Sequence, residues 1–392
     1  MRIYFARYFA LYFARYFALH FVLGIALASQ VSFATKSPDC TKIGILGEFK
    51  SLTRGFYQHF GTETRRGAEV AVKWLKQKNS RAVCFEFENF ETDNSVANLP
   101  RIIRNAAANG FRLFIGLGIS DQAMGAKKVL EETGAILISP TASSTELLGQ
   151  QGRIVVVYPT NQIIGHSLAQ QARARGIEKI LSVYVSRGRY SEDMHRHFSD
   201  EFIRSGGTLE TVSIRPQNSN FNEVVEKIKK NNFQFVFAPL FEVDAARLIA
   251  AVARHSENIE YVGTDSWGTY SKVIRRLVKN EKLKAMVPKI YDPEFKTAEN
   301  QYLVSEFAKD NGSKLPTDLV AFSFDSMLIA HALVQNCPKL TARTNVANCL
   351  SRSLPISSTM GLLKTHENLG IKREIQTKMI LFDDPNLQVN VR

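Results

Sequence analysis

Cysteine is scarce in this chain of 392 residues: there are four, Cys40, Cys84, Cys337 and Cys349. No Cys-x-x-Cys pair and no histidine cluster occurs, so the ligand set of a metal site is missing. No Gly-x-Ser-x-Gly motif occurs, which removes the usual nucleophile elbow. Gly116-x-Gly118 lacks its third glycine because Asp121 stands there, so a dinucleotide fingerprint is missing too. His195 and His197 lie two apart on a predicted helix and point to different faces. No carboxylate pair placed for acid–base work can be picked out, and the sequence offers no catalytic residue and no cofactor motif. Basic residues come singly or in pairs such as Arg65-Arg66 and Lys229-Lys230, interleaved with acids. This describes a solvated surface rather than a nucleic-acid tract.

Acidic residues are missing altogether before Asp39, where the chain has a character of its own. The octad YFARYFAL occurs twice in tandem, at 4–11 and 12–19, with Arg2, Arg7 and Arg15 supplying positive charge. The apolar run Tyr16–Ala28 is broken only by His20 and falls short of the roughly 20 residues that span a bilayer. Small-x-small sites follow at Ala26–Ala28 and Ser32–Ala34. Residues 1–34 therefore read as a secretory signal peptide cleaved after Ala28 or Ala34. No cysteine follows the apolar run, so a lipid anchor on a processed cysteine is not expected. Removing this segment takes three arginines and no acid from the +13 total, leaving +10. Export makes disulfides the expected state of the four cysteines. Four cysteines allow three pairings. Cys40 and Cys84 begin two predicted strands, at one sheet edge if those strands are parallel neighbours. Cys337 and Cys349 are close in sequence. Pairing 40–84 and 337–349 is expected.

With 45% apolar and 22% charged residues, the remainder can build packed cores. Strands and helices alternate after Thr41. Predicted strands at Lys42–Leu46, Val83–Glu88, Leu113–Gly116 and Ala135–Ser139 are separated by helices at Glu63–Lys76, Val96–Asn109 and Asp121–Glu132. A second series repeats the pattern. Its helices are Ile163–Arg175, Ser191–Ser205, Phe221–Asn231 and Val243–His255, and its strands are Lys179–Val185, Leu209–Ile214, Phe235–Pro239 and Tyr261–Gly263. The join falls near Tyr158-Pro159-Thr160. Two more helices, Ala298–Asn311 and Leu319–Gln335, a hairpin-like Leu362–Ile371 and a strand at Met379–Asp383 follow. The fold class is α/β, with two doubly wound, Rossmann-like lobes on parallel sheets.

The segment 111–148 is the most informative. Its two apolar runs end in Ser120 and in Ser139, Thr141, Ser143 and Ser144. Ligands of parallel α/β sheets sit outside the carboxyl ends of the strands. Neighbouring strand ends rich in hydroxyls and N–H groups form a cradle for a small anion such as a carboxylate.

In sequence, the chain resembles the type I periplasmic binding proteins, and within them the branched-chain amino-acid (Leu/Ile/Val)-binding proteins of ABC importers. The likeness rests on KIGILGEFKSLTRGFYQHFGTETRRGAEVAV, FIGLGIS…ETGAILISPTAS, VSRGRYSEDM, FQFVFAPLFEVDAARLIAAV, YVGTDSWG and LPTDLVAFSFDSMLIAHAL, in that order. It implies lobe one at about 38–157 plus 289–357 and lobe two at about 159–287 plus 358–392, closing over a ligand between them. It implies that Ser120 and the Thr141–Ala142–Ser143 turn hold a ligand carboxylate, and that Asp265 pairs with an α-ammonium. Tyr190 would face the cleft from lobe two, and Phe60 and Phe241 would form apolar walls, with Trp267 as a lid. The plainer alternatives stay open: a helix cap at Ser120, a hydroxyl turn after Pro140, core packing for Trp267. Gln122, Thr141 and the Phe241-Glu242 pair depart from the commonest family versions. The resemblance implies no enzyme activity and no cofactor or metal. It implies a small-molecule ligand, an inner-membrane ABC permease as partner, and the periplasm of a Gram-negative bacterium. A sensor or a structural envelope protein with the same fold is the alternative.

Overall fold

The computed structural model describes residues 40–50, 60–78, 84–149, 152–215, 220–256, 258–267, 284–337, 340–341, 343–365, 371–372 and 378–381. The expected signal peptide, residues 51–59 and residues 366–370 of the expected late hairpin lie outside them. In chain order the first elements are β1 (Thr41–Gly47), α1 (Phe60–Lys78), β2 (Phe85–Glu91), α2 (Leu99–Ala108), β3 (Leu113–Gly116), α3 (Ser120–Thr133), β4 (Ile136–Ser139) and β5 (Ile154–Val156). They form a five-stranded sheet of order β2-β1-β3-β4-β5, parallel at every pairing. Strands β3 and β4 are buried at every residue, because helices cover both faces of such a sheet.

The second series runs α4 (Asn161–Ala174), β6 (Lys179–Val185), α5 (Arg189–Arg204), β7 (Thr208–Ile214), α6 (Asn222–Asn231), β8 (Phe235–Phe237), α7 (Glu242–Ala253), β9 (Glu260–Val262) and β10 (Lys284–Lys289). Then come α8 (Ala298–Asp310), α9 (Asp318–Asn336), α10 (Val346–Ser353), the small sheet β11 (Ile356–Ser358), β12 (Gly361–Thr365) and β13 (Ile371–Lys372), and finally β14 (Lys378–Leu381). Read from β7, the second sheet is β7-β6-β8-β9-β10, the order of the first sheet repeated. The late strand β14 adds an antiparallel edge against β10. Each sheet has its switch point between its first and third strands in sequence, β1 and β3 or β6 and β8. Here the crossover helices diverge and leave a crevice.

Local chemistry accounts for the helix ends. Thr160, Thr297, Thr317 and Asn345 cap α4, α8, α9 and α10 with side-chain oxygens that accept from the residue three further on. Helix α3 ends at Gly134 with φ +69°, a conformation glycine adopts without strain. Helix α9 is long and apolar enough to cross a membrane by length and composition, yet 72% of that span is buried. It is a core helix, packed on α1, β3 and β4.

Cys337 at the end of α9 and Cys349 in α10 form a disulfide across a separation of 12 residues, as the sequence reading expects. Cys40 and Cys84 are also disulfide-bonded, and no cysteine is free. Closing a loop of that length restricts the unfolded chain by about 3 kcal/mol. The Cys337→Ser, Cys349→Ser double variant should lose about that much in urea unfolding, with secondary structure retained in circular dichroism.

Candidate functional site

The turns that leave the strands bring the expected residues to the carboxyl ends of both sheets. In the first sheet, β3 exits through Gly116 (φ +140°) and Leu117 (φ +50°), a left-handed pair that aims the chain at α3. A Cβ on Gly116 would lie 2.0 Å from the Leu46 carbonyl oxygen. A leucine held in the left-handed region is a strain that clusters at binding sites. Ser120 opens α3 as its first helical residue, whereas Ile119 occupies the cap position and makes no side-chain bond. The capping alternative therefore does not describe Ser120. Its Oγ instead accepts from the Ser143 and Ser144 N–H groups, at 3.3 and 3.1 Å.

Those two N–H groups are aimed at a buried hydroxyl whose own proton is left to donate. Thr141 donates to the Gly118 carbonyl at 3.1 Å. Its Oγ1 and the Phe60 ring crowd Gly118, where an added Cβ would meet them at 2.3 and 3.2 Å. Ala142 and Ser143 are buried, and Ala142 N–H donates to Ser139 Oγ at 3.3 Å. Gln122 is turned inward, donating to Glu48 at 3.1 Å and to Asn94 at 2.7 Å. Ser120, Ala142, Ser143, Thr141 and Phe60 thus lie together around the β3 and β4 exits.

In the second sheet, β6 leads into α5, which starts at Arg189 rather than at Ser191. Ser191 accepts from Val185 N–H at 2.8 Å and donates to the Pro239 carbonyl at 2.6 Å, stitching the switch point shut. Its neighbour Tyr190 donates to Asp265 Oδ1 at 2.8 Å, and the same hydroxyl lies 2.8 Å from Thr264 Oγ1, from which it can accept. Phe241, at the exit of β8, stacks on the Tyr190 ring with centroids 5.0 Å apart. Trp267 is wholly buried, and its Nε1 donates to the Ala238 carbonyl at 3.0 Å. The lid reading of Trp267 is therefore overturned: the indole packs over Gly263, where a Cβ would come within 2.5 Å of the ring.

Asp265 is the electrostatic centre. Its partners are neutral, the hydroxyls of Tyr190 and Tyr158 and the backbone N–H groups of Asp265 and Ser266, and it forms no salt bridge among the described residues. Burial is the main cause that pushes its carboxyl up to about 6, partly offset by those donors. Burial also pushes Asp318 at the start of α9 up to about 7, with the charge of Asp265 adding and Lys289 opposing. Burial holds Tyr158 and Tyr190 well above the usual phenol range, so both remain donors at neutral pH. The sequence reading missed Tyr158 and Asp318, although Tyr158 stands at the join it identified.

The two histidines do have different surroundings. His195 stacks on Tyr184 at 4.1 Å and contacts Ser182 at 2.7 Å, and burial pushes it down to about 4. His197 lies 3.3 Å from Asp193. Among the described residues no group of three or more His, Cys, Asp or Glu side chains could hold a metal ion.

Comparison with known proteins agrees with this arrangement. A family model described as periplasmic binding protein matches residues 41–381. The chain is 23% identical over 234 residues to Leu/Ile/Val-binding protein homolog 3 of Brucella melitensis. That match takes in 54% of this chain and 58% of the relative, less than two thirds of its length. Among solved structures it is similar to the leucine-binding protein LivK of Thermotoga maritima, with TM-score 0.74, 13% identity, and coverage of 87% of this chain and 97% of that one. It is also similar to an R. palustris ABC-transporter solute-binding protein in complex with 4-hydroxybenzoate, with TM-score 0.73, 16% identity, and coverage of 88% and 98%. Likeness at these identities is likeness of fold.

Proposed function

We propose, from the premise that the chain belongs to the periplasmic binding protein family, that it is an exported solute-binding protein that captures a small amino acid, branched-chain or related. The family is made up of solute-binding proteins, which are not enzymes. In this reading the lobes are 38–157 plus 289–357 and 159–287 plus 358–392. The ligand sits between them and the closed form docks on an ABC permease in the inner membrane. Residues 1–34 serve as the signal peptide.

The observation that carries the amino-acid reading is Asp265. A desolvated carboxylate is unfavourable unless a cation meets it, and the partners of Asp265 are all uncharged: the Tyr190 and Tyr158 hydroxyls and the backbone N–H groups of Asp265 and Ser266. An α-ammonium supplies the missing charge. At the opposite end the Ser120 hydroxyl, at the start of a helix, and the Thr141–Ser143 turn, buried at Ala142 and Ser143, suit a carboxylate. Phe60 and the stacked Tyr190–Phe241 pair supply apolar walls between the two ends.

The stack also favours a second reading, an aromatic carboxylate. Isothermal titration calorimetry of the mature protein with L-leucine, L-isoleucine and 4-hydroxybenzoate separates the two. Saturable binding of an amino acid is the expected result. Binding of 4-hydroxybenzoate alone would leave Asp265 without its assigned role. A melting curve unmoved by a wide metabolite panel would favour a structural envelope protein. Binding without stimulation of uptake by a reconstituted permease would favour a sensor.

A further inference from the structure

We propose that Asp193, held by Asn161, is a positioning residue that clasps the two half-sites in register at the first crossover between the sheets. The inference rests on the ligand reading above and deepens it.

Asn161 is the first residue of α4, immediately beyond the Tyr158-Pro159-Thr160 crossover, and is wholly buried. Its N–H donates to the Ser143 carbonyl at 2.7 Å, which fixes the carboxylate-side turn. Its Nδ2 donates to the Tyr190 carbonyl at 3.2 Å and to Asp193 Oδ2 at 3.1 Å, which fixes the start of α5. Its Oδ1 has no hydrogen-bond partner among the described residues, so the donor side alone orients the amide.

Asp193 follows Tyr190 by three residues, one turn along α5, and is 3% exposed. Its carboxylate accepts from Thr145 N–H at 2.8 Å and from Thr145 Oγ1 at 2.7 Å, across the gap to the turn after β4. It also meets Arg196 at 2.5 Å and His197 at 3.3 Å on its own helix. These donors hold its carboxyl well below the usual range, so it is ionised at neutral pH. One buried charge thus gathers donors from the β4 exit, α4 and α5.

A continuous hydrogen-bonded path results. It runs from Ser120 Oγ to the Ser143 peptide, through Asn161 to the Tyr190 peptide, and along the Tyr190 side chain to Asp265. Asp193 braces this path from the side, near both half-sites and part of neither. The neighbouring ion pairs of Arg189 with Glu146 and Asp121 are half-exposed and add little. Removing the Asp193 carboxylate takes the acceptor from both part-buried Thr145 donors and one acceptor from the buried Asn161 amide, and frees the turn from α5.

Titration of the full mature protein with L-leucine, combined with small-angle scattering of the ligand-free form, tests the clasp. For Asp193→Ala, leucine affinity should fall about 30-fold, the scale of a lost charged hydrogen-bond set, and the ligand-free radius of gyration should rise. Asp193→Asn keeps an acceptor for Thr145 N–H and should recover part of both. Parental affinity and parental radius in a folded Asp193→Ala protein would overturn the proposal. So would a radius that rises with no loss of affinity. Should Asp193→Ala not fold by circular dichroism, Thr145→Val decides in its place, with about a 5-fold loss expected for one hydrogen bond and parental affinity overturning the clasp. If the parent protein binds none of L-leucine, L-isoleucine and 4-hydroxybenzoate, the ligand reading fails. The scattering result then judges the clasp alone, an unchanged radius counting against it.

Discussion

Replacing Asp265 by Asn should raise the melting temperature of the ligand-free protein at pH 7.5 while weakening L-leucine binding about 100-fold, the scale expected when a charge partner is lost from a desolvated ion pair. The two effects have one cause. Burial lifts the Asp265 carboxyl from its ordinary 3.8 to about 6 in the folded protein. A group raised on folding contributes stability that is fully present below its unfolded value and is lost as pH rises through the folded value. At neutral pH the ionised carboxylate therefore works against the ligand-free fold. Asparagine removes the charge and still accepts from Tyr190. The same shift sets the pH dependence of binding: ammonium capture needs the carboxylate, so leucine affinity should decline as pH falls below about 6. Calorimetry between pH 5 and 8 and differential scanning calorimetry check the two halves. An Asp265→Asn protein that melts lower than its parent and binds leucine equally well would remove Asp265 from the site.

Gly116→Ala should be the most damaging single methyl at the carboxyl end of the first sheet. The residue sits at φ +140°, where an L side chain is strained, and its Cβ would meet the Leu46 carbonyl at 2.0 Å. Backbone strain and a clash with main chain together cost about 3–5 kcal/mol. The urea midpoint should drop accordingly, and whatever folded protein remains should bind leucine weakly, because Gly116 and Leu117 set the approach to Ser120. An unchanged midpoint would mean that β3 leaves its sheet differently.

The fold was legible where burial writes itself into the sequence. Strands β3 and β4 are covered on both faces and read as continuous apolar runs. Three strands escaped the reading, β5, β10 and β11, and the first two occupy the same fifth place in each parallel sheet. Only one 3-10 turn, Thr145–Leu147, separates β4 from β5, so the alternation that betrays the others is missing there. For the site, residue types at strand ends were readable and their partners were not. Nothing local shows that the Thr141 hydroxyl turns back to Gly118, that Gln122 serves Glu48, or that Asp193 reaches Thr145 48 residues earlier. For Trp267 the choice between lid and core stayed open for the same reason. Its partner Ala238 is 29 residues away, and only the packed β8–β9 region shows that the ring is interior.

The packing of α9 against β3 and β4 has a consequence for how the chain is made. All five strands of the first sheet have been synthesised by Val156, but the helix that covers one of its faces begins only at Asp318. At ordinary elongation rates that interval lasts about 8–30 s. Throughout it, apolar strands wait for a partner that lies beyond the entire second series of elements. Contacts of such long sequence separation form slowly. The growing chain therefore carries a sheet face without its α9 cover for roughly two fifths of its synthesis, and completion of the first sheet's packing is tied to arrival of the last third of the protein.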